Sequence, residues 1–199
     1  MGARMIVITG CLAAGKSHFA RMLSMEAGVP CFIKDTFKIA VCSSVKIVRR
    51  EASSKFSAVT FDAMMYAAER MLEVNSPFII EGNFVPAGIK KTDEAGFIRA
   101  LAEKYSCVPL TYMFTGDAAV LCERFNEREK SPERGDVNKM TGEAALSDFT
   151  EWCKNNERFD IGGEKIIVDG TDFNKIDYAW LIERARRYLN IVKTKGEFL

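Results

Sequence analysis

The stretch Gly10-Cys11-Leu12-Ala13-Ala14-Gly15-Lys16-Ser17 decides the reading of this 199-residue chain. It fits the pattern G-x-x-x-x-G-K-[S/T], and its flanks are the ones that pattern needs. Before it, Met5-Ile6-Val7-Ile8-Thr9 is an apolar, β-branched run of strand length; after it, Phe19, Met22 and Leu23 begin a helical apolar spacing. Strand, glycine turn and helix in succession imply a phosphate-binding loop rather than a plain turn. The glycines let successive backbone N–H groups point inward at an anion, and the helix N-terminus adds partial positive charge there. On this reading residues 10–17 cradle a nucleoside triphosphate, Lys16 reaches its β- and γ-phosphates, and the Ser17 hydroxyl ligates Mg²⁺. His18 follows directly and is counted with the nucleotide contacts, although its side chain is expected at the helix surface.

Composition narrows the rest. The length suits one domain spanning residues 1–199, large enough to bury a core. Apolar residues make up 48%, charged residues 28%, and the net charge is +1, the balance of an ordinary soluble globular protein. That charge offers no footprint for nucleic acid. Apolar runs are strand-sized, so no membrane span is expected, and the first strand begins too early to leave room for a signal peptide. Six scattered cysteines and one histidine argue against a zinc site or a disulfide framework, so a cytoplasmic protein is expected. The expected partner is a small molecule, and the expected state a monomer or weak homodimer. Cys11, inside the loop, reads as a small filler more readily than as an oxidation-sensitive thiol.

In chain order, the patterns predict a strand at 4–9, a helix at 16–27 ended by Gly28, and a short strand at 31–33 running into Asp35. One helix is expected over 36–50, weakened by Ser43-Ser44. A long amphipathic helix over 57–74 carries Val59, Phe61, Met64, Met65, Ala68, Met71 and Leu72, and Asn75-Ser76-Pro77 stops it. Strand 78–83 is apolar on both faces and therefore central. Further elements are a helix at 93–105, a strand at 108–114, a helix to 129 capped by Thr115 or Asp117, and a helix at 143–155. A strand at 165–169 and a helix at 175–192, burying Ile176, Trp180, Leu181 and Leu189, complete the chain. Residues 130–142 are rich in charge, Pro and Gly and read as an exposed lid. Five strands alternating with helices give an α/β fold with a parallel sheet covered on both faces, and ligands of such sheets bind beyond the strand C-termini.

Polar residues at those ends are the candidates. Asp35 suits a base for an attacking hydroxyl, while also able to cap the next helix; Thr36 reads as a cap. Glu81 closes a buried strand, which is costly unless water-bridged Mg²⁺, Lys16, the substrate or a lid arginine pairs with it. Asn83 is placed with it at the substrate. Arg124 and Arg128 are four apart on one helix and project the same way, and Arg134 follows in the lid. Such arginines would neutralise charge on a transferring phosphoryl group. Interleaved Glu123, Glu127, Glu129 and Glu133 also fit a solvated face, but a surface i,i+4 pair contributes only about 0.2–0.5 kcal/mol, so stability gives little reason for the pattern. Gly170 and Thr171, after the fifth strand, would lie beside an adenine or form a plain turn. Lys46, Arg49 and Arg50 read as a solvated face sooner than as an anion site.

Gly10 to Ser17, Lys34-Asp35-Thr36-Phe37-Lys38, Ile79-Ile80-Glu81-Gly82-Asn83-Phe84 and Arg124-Phe125-x-x-Arg128 together resemble small P-loop kinases. The likeness is to the group of zeta toxins, chloramphenicol phosphotransferase and bacterial "predicted kinases", and it covers roughly residues 4–190. The resemblance implies a three-layer α/β/α P-loop NTPase with strand order 2-3-1-4-5 and a short lid. It also implies ATP with Mg²⁺ as donor, a small-molecule hydroxyl as acceptor, Asp35 as base, and Arg124 and Arg128 on phosphate. Residues 36–56 and 84–95 match no member of the group, and Phe37 stands where shikimate kinases carry a second acid. The implied activity is ATP-dependent phosphotransfer. A nucleotide-dependent regulatory ATPase and a toxin-like kinase acting on nucleotide sugars are the alternatives.

Overall fold

Every side chain of the first strand, β1 (Met5–Gly10), is buried, and its alternation divides the molecule into layers. Ile6 and Ile8 face an apolar cluster with Phe19, Phe125, Phe149 and Leu181. Met5 and Val7 face a second cluster with Phe61, Met65, Ile98 and Leu101. A strand buried on both faces must be central in a sheet covered by helices on both sides. The computed structural model describes residues 3–47, 50–84, 86, 93–131, 137–140 and 142–190.

The remaining elements are α1 (Lys16–Ala27), β2 (Cys31–Ile33), α2 (Lys34–Ser44), α3 (Arg50–Ser54), α4 (Ser57–Glu73), β3 (Phe78–Glu81), α5 (Glu94–Lys104) and β4 (Leu110–Thr115). They continue with α6 (Ala118–Lys130), α7 (Leu146–Glu157), β5 (Glu164–Asp169), one 3₁₀ turn (Phe173–Lys175) and α8 (Tyr178–Leu189). The five strands form one parallel sheet in the order β2-β3-β1-β4-β5. The architecture is a three-layer α/β/α fold, with α4 and α5 on one face of the sheet and α1, α6, α7 and α8 on the other.

The register brings the functional ends together. Ile8 of β1 is opposite Glu81 of β3, Ile33 of β2 is also opposite Glu81, and Gly10 is opposite Phe114 of β4. Gly10 has φ +119, and a Cβ there would lie 2.0 Å from the Phe114 carbonyl oxygen, so the loop can leave β1 only through glycine. The Cys11 N–H then donates to that same carbonyl at 2.7 Å, which fixes where the loop starts. Beneath it Phe19 packs edge-on against Tyr112 at 5.1 Å, and the Tyr112 hydroxyl donates to the Leu181 carbonyl at 2.7 Å. Burying Phe19 contributes about 1.5–3 kcal/mol, so the loop rests on a firm floor.

Four expectations about the elements are corrected. The helix expected over 36–50 is two: α2 starts at Lys34 and ends before Lys46, which adopts φ 56 while the Ile47 N–H bonds back to the Cys42 carbonyl at 2.8 Å. That is a Schellman-type stop formed without glycine. Trp180 and Val59, expected in the core, are 52% exposed each, because β5 is an edge strand with little cover and Val59 lies off the buried stripe of α4. For the same reason the sheet is not covered on both faces at β5, where Ile167 is 60% exposed. The last helix begins at Tyr178, not 175, since Asp177 caps it and accepts from the Trp180 N–H at 2.9 Å. Asp117, one of two expected caps, is the cap of α6 and accepts from the Ala119 and Val120 N–H groups. Among the described residues no helix is long and apolar enough to cross a membrane.

Candidate functional site

The loop between β1 and α1 places Lys16 at the first position of α1 with its side chain folded under the loop. Its Nζ donates to the carbonyls of Gly10 at 3.0 Å and Cys11 at 2.5 Å. The residue is buried, and burial lowers its pKa, an effect the Glu81 carboxylate opposes. The charges of Asp35 and Arg128 also act on Lys16, from opposite directions. Strand β3 brings Glu81 to the same place: it is 4% exposed, and Ser17 Oγ donates to its Oε2 at 3.1 Å. Burial raises the Glu81 pKa, while Lys16 opposes the shift and Asp35 adds to it. Lys16, Ser17, Glu81 and Asp35 are therefore brought within electrostatic or hydrogen-bonding reach of one another.

This site has a consequence for stability. Glu81 binds its proton more tightly folded than unfolded, so its contribution is complete below the ordinary value of 4.5 and is lost as pH rises through the raised folded value. Glu81→Gln removes that dependence. In thermal melts without nucleotide, the Tm of the variant relative to the parent should therefore climb from about pH 4 towards neutrality. A gap that narrowed with rising pH would contradict the sign.

Asp35 is exposed in the first turn of α2, directly after β2, and the N-cap position of that helix is Ile33, which makes no side-chain cap hydrogen bond. Beside it Lys34 turns inward, forms an ion pair with Glu94 of α5, and lies over the rings of Phe61 at 5.4 Å and Phe84 at 5.8 Å. Asn83 is half-buried, and its Oδ1 is a buried acceptor without a partner among the described residues. Such an orphan costs about 1–3 kcal/mol, which a donor from a bound molecule would recover. Arg21, one turn beyond Ser17, was not singled out by the sequence. Its charge lowers the Glu81 pKa, and the i,i+4 spacing from Ser17 was the available signal.

Arg124 and Arg128 diverge in use. Arg124 donates to three backbone carbonyls: Gly170 at 2.8 Å, Thr171 at 2.9 Å and Ala13 at 3.3 Å. Its guanidinium lies 4.0 Å from the centre of the Phe173 ring. It thus joins the phosphate loop to the segment after β5. That segment packs so closely that a Cβ on Gly170 would lie 2.5 Å from the Ala14 carbonyl oxygen. Thr171 is held by Asp169, whose carboxylate accepts its N–H at 2.8 Å and its hydroxyl at 2.5 Å; these bonds lower the Asp169 pKa. Arg128 sits over Phe125 at 5.3 Å and faces Glu129 at 3.5 Å. Arg134 lies outside the described residues, as do 132–136 and 141 of the expected lid.

A 260 Å³ pocket is lined by Ala13 to His18, Arg124, Arg128 and Phe173. His18 is exposed at its rim, as expected, with its ring edge-on to Tyr178. Phe173 is the residue the sequence did not suggest. Cys11 is fully buried, and its hydrogen bond with the Cys153 thiol, together with burial, raises its pKa far above the usual thiol value, which suits a filler and not a reactive thiolate. Among the described residues, no three His, Cys, Asp or Glu side chains group to hold a metal. The oxygen donors Ser17 and Glu81 nevertheless fit Mg²⁺, which keeps several waters and phosphate oxygens in its shell.

The sequence matches no protein-family model and no curated protein. Solved structures share its fold. A protein of Chloroflexus aurantiacus J-10-fl with a provisional kinase designation superposes with a TM-score of 0.74 at 22% identity, covering 95% of this chain and 97% of its own. A shikimate kinase from Bacteroides thetaiotaomicron gives 0.58 at 15% identity, covering 96% and 100%. A sugar kinase from Janibacter sp. HTCC2649 gives 0.57 at 16%, covering 96% of each chain. At these identities the likeness establishes the fold, with the strand order that the motif resemblance implied.

Proposed function

We propose that this chain is an ATP-dependent phosphotransferase that moves the γ-phosphoryl group of Mg·ATP to a hydroxyl of a small molecule. The observation that carries the reading is the buried meeting of Lys16 and Glu81 at the loop, with Ser17 Oγ on the carboxylate and Asp35 close enough for its charge to act on both. A buried unlike pair of this kind is a poor stabilising device, but a suitable one for gripping phosphate and metal. The kinase designations of structures with the same fold support the reading.

In this mechanism the loop N–H groups from residues 10–17 hold the phosphates, and Lys16 leaves the Gly10 and Cys11 carbonyls to take phosphate oxygens. Ser17 and water-bridged Glu81 would hold Mg²⁺, which when bound neutralises charge on the β- and γ-phosphates. Asp35 accepts the proton of the attacking hydroxyl, the new O–P bond forms in line, and ADP leaves. Arg128 steadies the transferring group, and Arg124 holds the nucleoside end against Gly170 and Thr171. Asn83 and Glu81 orient the acceptor, and Arg134 closes from a lid over 130–142. The reading takes residues 1–199 as one domain.

ATP hydrolysis measured alone and then with panels of sugars, hydroxy acids and amino alcohols tests the proposal. Turnover should be slow alone and rise at least about tenfold with the right small alcohol, with phosphate recovered on it. Stimulation by a protein and by no small molecule would support the regulatory ATPase reading and sink this one.

A further inference from the structure

Strand β5 ends the sheet on one side, and its outer edge is open. It pairs with β4 alone, and outside the sheet no described residue hydrogen-bonds to the backbone of residues 165–168. Alternate N–H and C=O groups of such a strand point outward, a template for a further strand. The other edge, β2, has three residues and passes at once into α2, so it offers no comparable template. We propose that β5 pairs antiparallel with β5 of a second copy of this chain, across a two-fold axis at Ile167, so that the two five-stranded sheets join into one. The inference is independent of the nucleotide reading above.

Charge and register carry the argument. Lys165, Ile167 and Asp169 alternate onto one face of β5 and all three are exposed, while Ile166 and Val168 turn to the apolar cluster around Phe19. Centred on Ile167, antiparallel pairing sets Lys165 opposite the partner's Asp169, and the symmetry does so twice. Ile167 then meets its own copy, and Ile166 meets Val168. Centred between Ile166 and Ile167, the same strands would oppose Glu164 and Asp169, two like charges. Both members of the favoured pair have bonding capacity left. The Lys165 ammonium has three donors and gives one to the Phe159 carbonyl at 2.8 Å. Asp169 accepts both Thr171 bonds on Oδ1, and its Oδ2 accepts none among the described residues.

The surroundings fit the same occupant. Beside the C-terminal half of β5, a 440 Å³ groove is lined by Ile167, Trp180 and Leu181, with Asp169, Asp172 and Asp177 set against one Lys175. The N-terminal end of the strand instead carries Lys165 and Arg184, against one Glu164 that Arg184 already holds. Antiparallel pairing lays the acidic end of each copy along the basic end of the other, whereas parallel pairing would lay like ends together. Ile167 and Trp180, each more than half exposed, are the apolar surface that the second copy covers.

Sedimentation velocity over about 1–500 µM tests this on the parent chain, Ile167→Arg, Lys165→Glu and Asp169→Lys. The parent should form dimers with a Kd of about 1–100 µM, the weak end of the range for specific interfaces. Ile167→Arg sets two guanidinium groups against each other at the axis, and each single charge reversal creates two like-charged pairs. All three variants should weaken the dimer at least about tenfold. Ile167→Arg should melt with the parent, because the side chain it replaces is exposed. Mixing Lys165→Glu chains with Asp169→Lys chains restores both opposite-charge pairs, so the mixture should dimerise as the parent does although neither variant does alone. A fold damaged by either change would not be rescued in this way. A parent chain monomeric throughout would overturn the inference and leave the edge to residues 191–199 or to a different protein. A dimer that survives Ile167→Arg uses another surface, and a mixture that stays dissociated refutes the register; either result overturns the inference too.

Discussion

Lys16→Ala is expected to abolish phosphoryl transfer while leaving the chain folded. In the absence of phosphate the ammonium is held by the Gly10 and Cys11 carbonyls and burdened by burial, with Glu81 offsetting part of that burden. Its energy is therefore released where charge develops, on the oxygens of the transferring group, and not in the fold. Removing one preorganised electrostatic donor from such a site lowers turnover about 10²–10³-fold. Initial rates of acceptor-stimulated ATP consumption read this directly. On the stability side two changes oppose each other: a desolvated ammonium disappears, whereas Glu81, no longer held down by Lys16, binds its proton more tightly, which is a cost at neutral pH. A thermal melt should still show one cooperative transition, so that lost turnover is read on folded protein. A variant that retained turnover, or lost it only through unfolding, would refute the assigned role.

The second large effect is expected at Asp35. Asn has the same shape but cannot take the acceptor's proton, so Asp35→Asn should lose about 10²–10⁴ in turnover. The affinity for Mg·ATP should hold, because Asp35 sits in the first turn of α2 and not on the phosphate loop. Parallel measurement of nucleotide binding and of kcat with the stimulating acceptor separates these. Full turnover in Asp35→Asn would show that another group takes the proton.

The donor half of the site was legible because its residues are local. Gly10 to Ser17 is one unbroken stretch, and Asp35, Glu81, Arg124 and Gly170 each follow a recognisable element end or helix spacing. What escaped was non-local. Lys34 finds Glu94 sixty residues away, and no periodicity links them. Phe173 follows a turn, where one aromatic residue gives no pattern, and only the closure of β5 beside the loop gives it Arg124 as a neighbour. The break between α2 and α3 depends on Lys46 adopting a left-handed conformation, which single-residue preferences disfavour. Strand order likewise came with the motif resemblance and not from the alternation of elements, which is compatible with several orders.

The three carbonyl bonds of Arg124 bear on how such a protein can diversify. They lock the phosphate loop and the segment after β5 into one interlocked unit, so a change to either alters the fit of the other. The acceptor side is tied differently, through the Lys34–Glu94 pair that bridges α2 and α5. On the kinase reading proposed above, substitutions on the α2 and α5 side would change the acceptor while leaving the Arg124 contacts of the donor side in place.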